Sequence, residues 1–457
     1  MTSAAASATR APVRDLPTIH PRPRAGWIND PNGIIRHEGR YHVFFQHNPG
    51  SARHGDIVWG HMSSADLLAW EQHPPALRPQ PGEADAAGCW SGVAVLDDAG
   101  RPTAVYTGVT ADGGASSVIV ATGRPGLAGF EQPGRLATGM PPGEPFTDVR
   151  DPFVFHHGGR RYAIQGAGSP GGDPAILLYD ATVLDDWVYL GTLLDSTDPL
   201  AARLAPANIW ECPQLLEIDG TWVLILSLWR NDGGEHRLSG VSYLHGALEA
   251  VPGQEPAGLS RAAVGAGPEV AGPAAPALRL VPAGGGEVDS GPDFYAPQVL
   301  REDGRALLWG WSWEGRPQEE SDAAGWAGML TLPRELGFSG GRLVSVPAAE
   351  NAGFRRGPLD WRAGGTVLPD AAEVHLDAAD GDAELVLEGP EGTVTVARLP
   401  IGDGLRIVVD VSIAEVFRTG SVPHTVRAYP GAGQAWAVRV PAGATGRAWE
   451  LAVPSAD

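Results

Sequence analysis

The chain has 457 residues and a formal net charge of −21, and all 33 of its basic residues are arginine. Without lysine, Schiff-base chemistry and the phosphate-binding lysine of a P-loop are excluded, and the missing basic patch argues against a nucleic-acid partner. Its 62 glycines and 41 prolines, with 43% hydrophobic and 19% charged residues, suit a loop-rich all-β chain of two domains.

From the N-terminus, Met1 to Arg14 carry Ala, Ser and Thr with two arginines and no apolar run. Residues 1–14 therefore read as a disordered tail, neither signal nor anchor, and the protein as cytoplasmic with no membrane partner. Cys89 and Cys212 are too few for a disulfide framework and too far apart for a paired metal motif, so both read as reduced.

Five segments then repeat one plan of loop, apolar strand, Gly turn and second apolar strand. They are Trp27 to Asn48, Cys89 to Gly108, Val149 to Gly166, Trp210 to Trp229, and Asp293 to Trp313. Their equivalent points Pro31, Ser91, Pro152, Pro213 and Pro297 follow one another at intervals of 60, 61, 61 and 84 residues. The longer last interval holds Val251 to Gly286, whose Ala, Gly and Pro content reads as a surface excursion without a core. Further β-like runs such as Ser117 to Ala121 and Ala175 to Tyr179 give about four strands per repeat, the arithmetic of a five-bladed propeller over residues 15–346. The pattern changes after Gly340. Residues 347–357 read as a linker and 358–457 as a β-sandwich, from the alternating runs Ala383 to Glu388, Thr393 to Leu399, Leu405 to Val411 and Trp436 to Val440.

A propeller gathers repeat-equivalent residues around one axis, which brings Asp30, Asp151 and, one position earlier in its repeat, Glu211 to a single funnel. Taken alone, Asn29 to Gly33 is a turn sequence, Arg150-Asp151-Pro152 a local ion pair, and Glu211 a buried, satisfied side chain. Together they supply the carboxylates that glycoside hydrolysis requires. Trp27, Trp59, Trp90 and Trp210 lie in the same loops, where aromatic faces suit sugar rings, although packing between repeats uses them equally well. Gly166-x-Gly168-x-x-Gly171 matches a dinucleotide fingerprint, but a strand-like run follows where a helix is required, so it reads as a hairpin loop. His156-His157 reads as exposed, and no metal or cofactor is expected.

Several of these motifs resemble glycoside hydrolase family 32, the invertase, inulinase, levanase and sucrose-6-phosphate hydrolase group. Trp27-Ile28-Asn29-Asp30-Pro31-Asn32-Gly33 is similar to the family's nucleophile motif, Arg150-Asp151-Pro152 to its transition-state motif, and Trp210-Glu211-Cys212-Pro213 to its acid/base motif. Phe45-Gln46-His47-Asn48-Pro49, Trp59-Gly60-His61, Trp90-Ser91-Gly92, Asp293 to Gln298 and Leu332 to Leu336 follow in the expected order. In the tail, Asp410 to Phe417 resembles a sandwich strand of the family, with Val411 where Arg is usual, and Trp90 stands where Phe is common.

The resemblance implies a retaining β-fructofuranosidase with Asp30 as nucleophile, Glu211 as acid/base and Asp151 as stabiliser of the transition state. It also implies that Asn29, Gln46, Trp59, Trp90, Ser91, Arg150 and Tyr295 hold the fructosyl ring or the catalytic carboxylates. The expected substrates are sucrose, sucrose 6-phosphate or short fructo-oligosaccharides, and the expected state is a monomer or homodimer. A fructosyltransferase using the same site and a non-catalytic fructan-binding propeller are the alternatives.

Overall fold

A computed structural model describes residues 16–110, 116–251, 275–362 and 364–455. The tail expected at 1–14 lies outside the described residues. The fold is almost entirely β, with two short α-helices, Pro199–Leu204 and Gln318–Ala324, among the described residues. None of the helices is long and apolar enough to cross a membrane among those residues.

Five antiparallel sheets follow one another along the chain, each with a core of four strands. Their first strands are Gly26–His37, Gly88–Leu96, Asp148–His157, Ile209–Ile218 and Tyr295–Glu302. Each pairs with the next strand through a Gly-containing turn, so all five predicted hairpins form. The first strands also pack side by side in a closed ring, the last against the first. Trp326–Ala327, which follows the fifth hairpin, pairs in parallel with Gly26 and Trp27 and ties the end of this array to its beginning. Four-stranded sheets bury both faces only by stacking, and the cores between neighbouring sheets show this. Ile164, Leu178, Trp210 and Leu226 fill one such core, and Val105, Val154 and Leu177 another.

The excursion expected at Val251 to Gly286 is corrected at its end. Leu278–Glu287 is the outer strand of the fourth sheet, with Leu278 and Leu280 buried, and residues 252–274 lie outside the described set. Its glycines fit because the strand lies tight against its partner. A Cβ at Gly285 would stand 2.2 Å from Tyr243 O.

The fifth sheet continues past Gly340 with the strand Arg342–Pro347. A 3₁₀ helix, Ala349–Phe354, and the strand Arg355–Leu359 follow in the segment read as a linker. Beyond it, a six-stranded and a four-stranded sheet enclose one core that includes Val374, Ile407 and Val416 from the first and Leu385, Leu387 and Trp436 from the second. This body is fastened to the five-sheet array by buried charges. His20 lies between Asp410 (2.9 Å) and Glu415 (3.0 Å), and Arg334 reaches Glu415 (2.5 Å) and Asp289 (2.7 Å).

Candidate active site

One irregularity recurs in all five first strands. The register slips between Ile28 and Pro31, Cys89 and Gly92, Arg150 and Phe153, Glu211 and Gln214, and Tyr295 and Gln298. Each slip is a β-bulge, which breaks the in-out alternation and re-aims the side chains on either side. The proline in three of the bulges, Pro152, Pro213 and Pro297, cannot donate to the ladder, so the unpaired stretch falls there naturally. Asp151, Cys212 and Ala296, each before its proline, adopt φ of 59°, 46° and 45°. Such left-handed backbone is uncommon outside glycine, and it persists here only because the surrounding sheet dictates it.

The bulges bring the three carboxylates together. Asp30 accepts hydrogen bonds from Ser91 Oγ (2.6 Å), Asn29 Nδ2 (3.1 Å) and the Cys212 thiol (3.3 Å). Asp151 accepts from the Cys212 amide (2.9 Å), while its own amide donates to Thr107 Oγ1 (2.9 Å). Glu211 accepts from Arg150 Nε (3.1 Å) and from Tyr295 OH (2.8 Å). Arg150, Glu211 and Tyr295 hold the same position in three successive sheets, one residue before the left-handed one. Their contacts therefore run directly from sheet to sheet.

Burial pushes the Asp151 carboxyl up to about 7, with Arg150 opposing the rise and the charges of Glu211 and Asp30 adding to it. Burial likewise raises Glu211 above the usual carboxylate range, again against Arg150 and the Tyr295 hydroxyl, and Asp30 adds to the rise. A site of this kind can hold one carboxyl protonated beside an ionised neighbour, which acid-assisted displacement at an acetal carbon requires.

The remaining predicted residues divide in two. Asn29, Ser91, Arg150 and Tyr295 touch the carboxylates directly. Gln46 and Trp59 lie underneath: Gln46 Nε2 donates to Cys89 O (3.1 Å), and the fully buried Trp59 donates its indole N–H to Trp90 O (3.0 Å). They fix the second sheet's bulge, while Trp90 itself is only partly buried. Trp210 belongs to the core between the third and fourth sheets and bonds Ala205 O (2.8 Å). Sequence reasoning missed Cys212, whose thiol and amide connect Asp30 to Asp151, although its place in the fourth repeat, equivalent to that of Asp151, pointed to it. It also missed Asp148, which binds Arg150 Nη1 (3.2 Å). An aromatic wall stands beside the acids: Trp27 to Trp311 at 5.9 Å, Tyr295 to Trp313 at 5.9 Å.

Below the acids the axis is closed. About 10 Å³ of space remains among Pro31, Ser91, Asp151, Cys212 and Gln298, room for no more than about one water molecule. A separate mouth of 560 Å³ opens at the other end of the axis, lined by apolar residues such as Ile35, Val93 and Phe153. Among the described residues, no group of three or more His, Cys, Asp or Glu side chains is arranged to hold a metal ion. The dinucleotide-like glycines form a strand–loop–strand hairpin, as predicted.

An array of five sheets with clustered carboxylates and an aromatic wall describes a carbohydrate-active protein. Residues 20–347 match the glycosyl hydrolases family 32 N-terminal domain. The chain is 36% identical over 351 residues to the raffinose invertase of Escherichia coli, covering 74% of this chain and 66% of that protein. It is 29% identical over 455 residues to the sucrose-6-phosphate hydrolase of Salmonella typhimurium, covering 88% and 86%. Its fold matches the family 32 β-fructofuranosidase BmSUC1 of Bombyx mori with a TM-score of 0.77 at 26% identity, over 97% of this chain and 95% of the other. The chain belongs to glycoside hydrolase family 32. Its match spans 66% of the length of each of two Escherichia coli relatives, the raffinose invertase and a sucrose-6-phosphate hydrolase.

Proposed function

We propose that this protein is a retaining β-fructofuranosidase that removes terminal fructose from sucrose, sucrose 6-phosphate or short fructo-oligosaccharides. The observation that carries the reading is the pairing of environments. Asp30 is surrounded by donors from Ser91, Asn29 and Cys212, as a carboxylate nucleophile needs, while Glu211 is buried and pushed towards its protonated form.

In the first step Asp30 attacks the anomeric carbon of fructose as Glu211 gives its proton to the departing oxygen, and a fructosyl ester forms on Asp30. Glu211, now a base, takes a proton from water, which displaces Asp30 and releases fructose with its configuration kept. This requires the two carboxyl groups to work about 5–5.5 Å apart. Asp151 holds ring hydroxyls and stabilises the charge that develops on the sugar. Arg150 and Tyr295 position Glu211. The five sheets are the blades of a five-bladed propeller over residues 15–346, followed by a linker at 347–357 and a sandwich at 358–457. The family relatives named for sucrose 6-phosphate and raffinose, and the silkworm enzyme solved as a mutant with sucrose, support the choice of substrates.

Methanolysis tests the stereochemistry. With sucrose in aqueous methanol, the methyl fructofuranoside formed first is expected to be the β anomer by NMR; an α product would overturn the covalent-intermediate route.

A further inference from the structure

Behind the aromatic wall, where the array meets the sandwich, three guanidinium groups crowd one indole. Arg22 and Arg316 each lie 4.3 Å from the centre of the Trp326 ring, and Arg427 lies at 5.8 Å. Glu314 is the carboxylate set among them. It binds Arg316 through both oxygens (3.0 and 2.9 Å), stands 3.8 Å from Arg427, and accepts the hydroxyl of Tyr429. Asp410, the next acid within range, is already engaged by His20 and the backbone of Thr18 and Ile19. The three guanidinium groups thus gather around Trp326 in a pocket where the Arg316, Glu314 and Arg427 side chains are 4%, 5% and 0% exposed.

The hydrogen bonds here leave donors without acceptors. Arg427 is satisfied by Ser412 O (2.9 Å) and Trp313 O (2.9 Å), but Arg22 Nε, Arg22 Nη2 and Trp326 Nε1 are buried with no partner. All three are donors. A buried unpaired donor costs stability, and a buried unpaired charge costs more, so a group of this kind calls for an acceptor carrying negative charge. Nε and Nη2 form one edge of the guanidinium, the fork that matches two oxygens of a single oxyanion. Burial, followed by the charges of Arg427 and Arg316, pushes the Arg22 guanidinium down to about 9.

We propose that Arg22, with Trp326, Arg316 and Arg427, forms a binding site for a phosphate-type oxyanion at the junction of the two bodies. The anion accepts from the Arg22 fork and the Trp326 N–H. Its source is either free inorganic phosphate or the phosphate group of a sugar ester. Arg427 bonds the carbonyl of Trp313, whose ring lies 5.9 Å from Tyr295, so the site is one layer behind the catalytic pocket. The inference does not depend on the hydrolase reading, because its main test measures binding alone.

That test is thermal unfolding of the full chain in inorganic phosphate and in sodium chloride at equal ionic strength. Wild type is expected to melt roughly 2 °C or more higher in phosphate. Arg22→Met is expected to show no such difference, and in chloride to melt at or above wild type, because a repelled buried charge is gone. Arg22→Lys keeps the charge without the fork and is expected to keep only part of the phosphate shift. Equal melting of wild type in both salts, or a full shift in Arg22→Met, overturns the proposal. Kinetics separate the two sources. If Arg22→Met raises KM for sucrose 6-phosphate but not for sucrose, the ester supplies the anion; if the KM ratio is unchanged while the melting shift is lost, the free ion does.

Discussion

Glu211 sits between a guanidinium and a phenol, and both pull its proton affinity the same way. Burial favours the protonated carboxyl, whereas Arg150 and the Tyr295 hydroxyl favour the charged form. Removing the phenol oxygen with Tyr295→Phe takes away a donor to the carboxylate, so the Glu211 pKa rises and the alkaline limb of the kcat/KM profile moves to higher pH. The same change loosens the acid's orientation and is expected to lower kcat/KM about tenfold. A profile that stays in place would mean that Tyr295 does not act on Glu211. The three acids were legible in the sequence because Asp30 and Asp151 lie beside a marker residue of the repeat and Glu211 one position earlier. Cys212 was passed over because it was read as a spare thiol, although it occupies the position that Asp151 holds one repeat earlier. The supporting roles of Gln46 and Trp59 depend on burial, which motif spacing does not report.

At the scale of the strand, the site depends on bulges that need close neighbours. A Cβ at Gly166 would stand 1.9 Å from Trp210 O, on the strand that carries Glu211. Gly166→Ala must therefore push that strand away from its neighbour. We expect a stability loss of roughly 1–3 kcal/mol in denaturant unfolding, with a fall in kcat/KM larger than that in KM-limited binding alone. An alanine variant with wild-type stability and rate would show that the two strands are not held at this distance. The hairpins were legible because their apolar runs and Gly turns are local signals. Leu278–Glu287 was not, since Gly284, Gly285 and Gly286 resemble loop composition until the packing of the first against His245 and of the other two against Tyr243 explains them.

Across the whole molecule, the array and the sandwich are joined through buried ion pairs, and this gives stability a pH window. Burial opposes a charge on His20, but its bonds to Asp410 and Glu415 outweigh that and raise it from 6.5 to about 9. Burial also opposes the charge on Glu415, yet Arg334 and His20 hold it down at about 2. The His20 contribution is present in full below pH 6.5 and is lost as pH rises through 9; that of Glu415 is present above pH 4.5 and is lost as pH falls towards 2. Wild type is expected to lose about 3 kcal/mol between pH 6.5 and 9.5 through His20. His20→Gln should flatten that fall in a melting series, and an equally steep fall in the variant would contradict the assignment. Of this interface the sequence showed only a resemblance of Asp410 to Phe417 to a sandwich strand, and the segment in fact turns at Val411 and Ser412 between the paired strands Leu405–Asp410 and Ile413–Arg418. Partners nearly four hundred residues apart leave no local pattern.

The central claim is that Asp30 and Glu211 together hydrolyse fructosides. Its most direct test is release of fructose and glucose from sucrose, kestose, inulin, levan and sucrose 6-phosphate by wild type, Asp30→Ala and Glu211→Ala. Wild type is expected to release fructose, and each variant to lose at least roughly a thousandfold in kcat while remaining folded. No fructose from any of these substrates, or a variant that keeps wild-type turnover, would contradict the account.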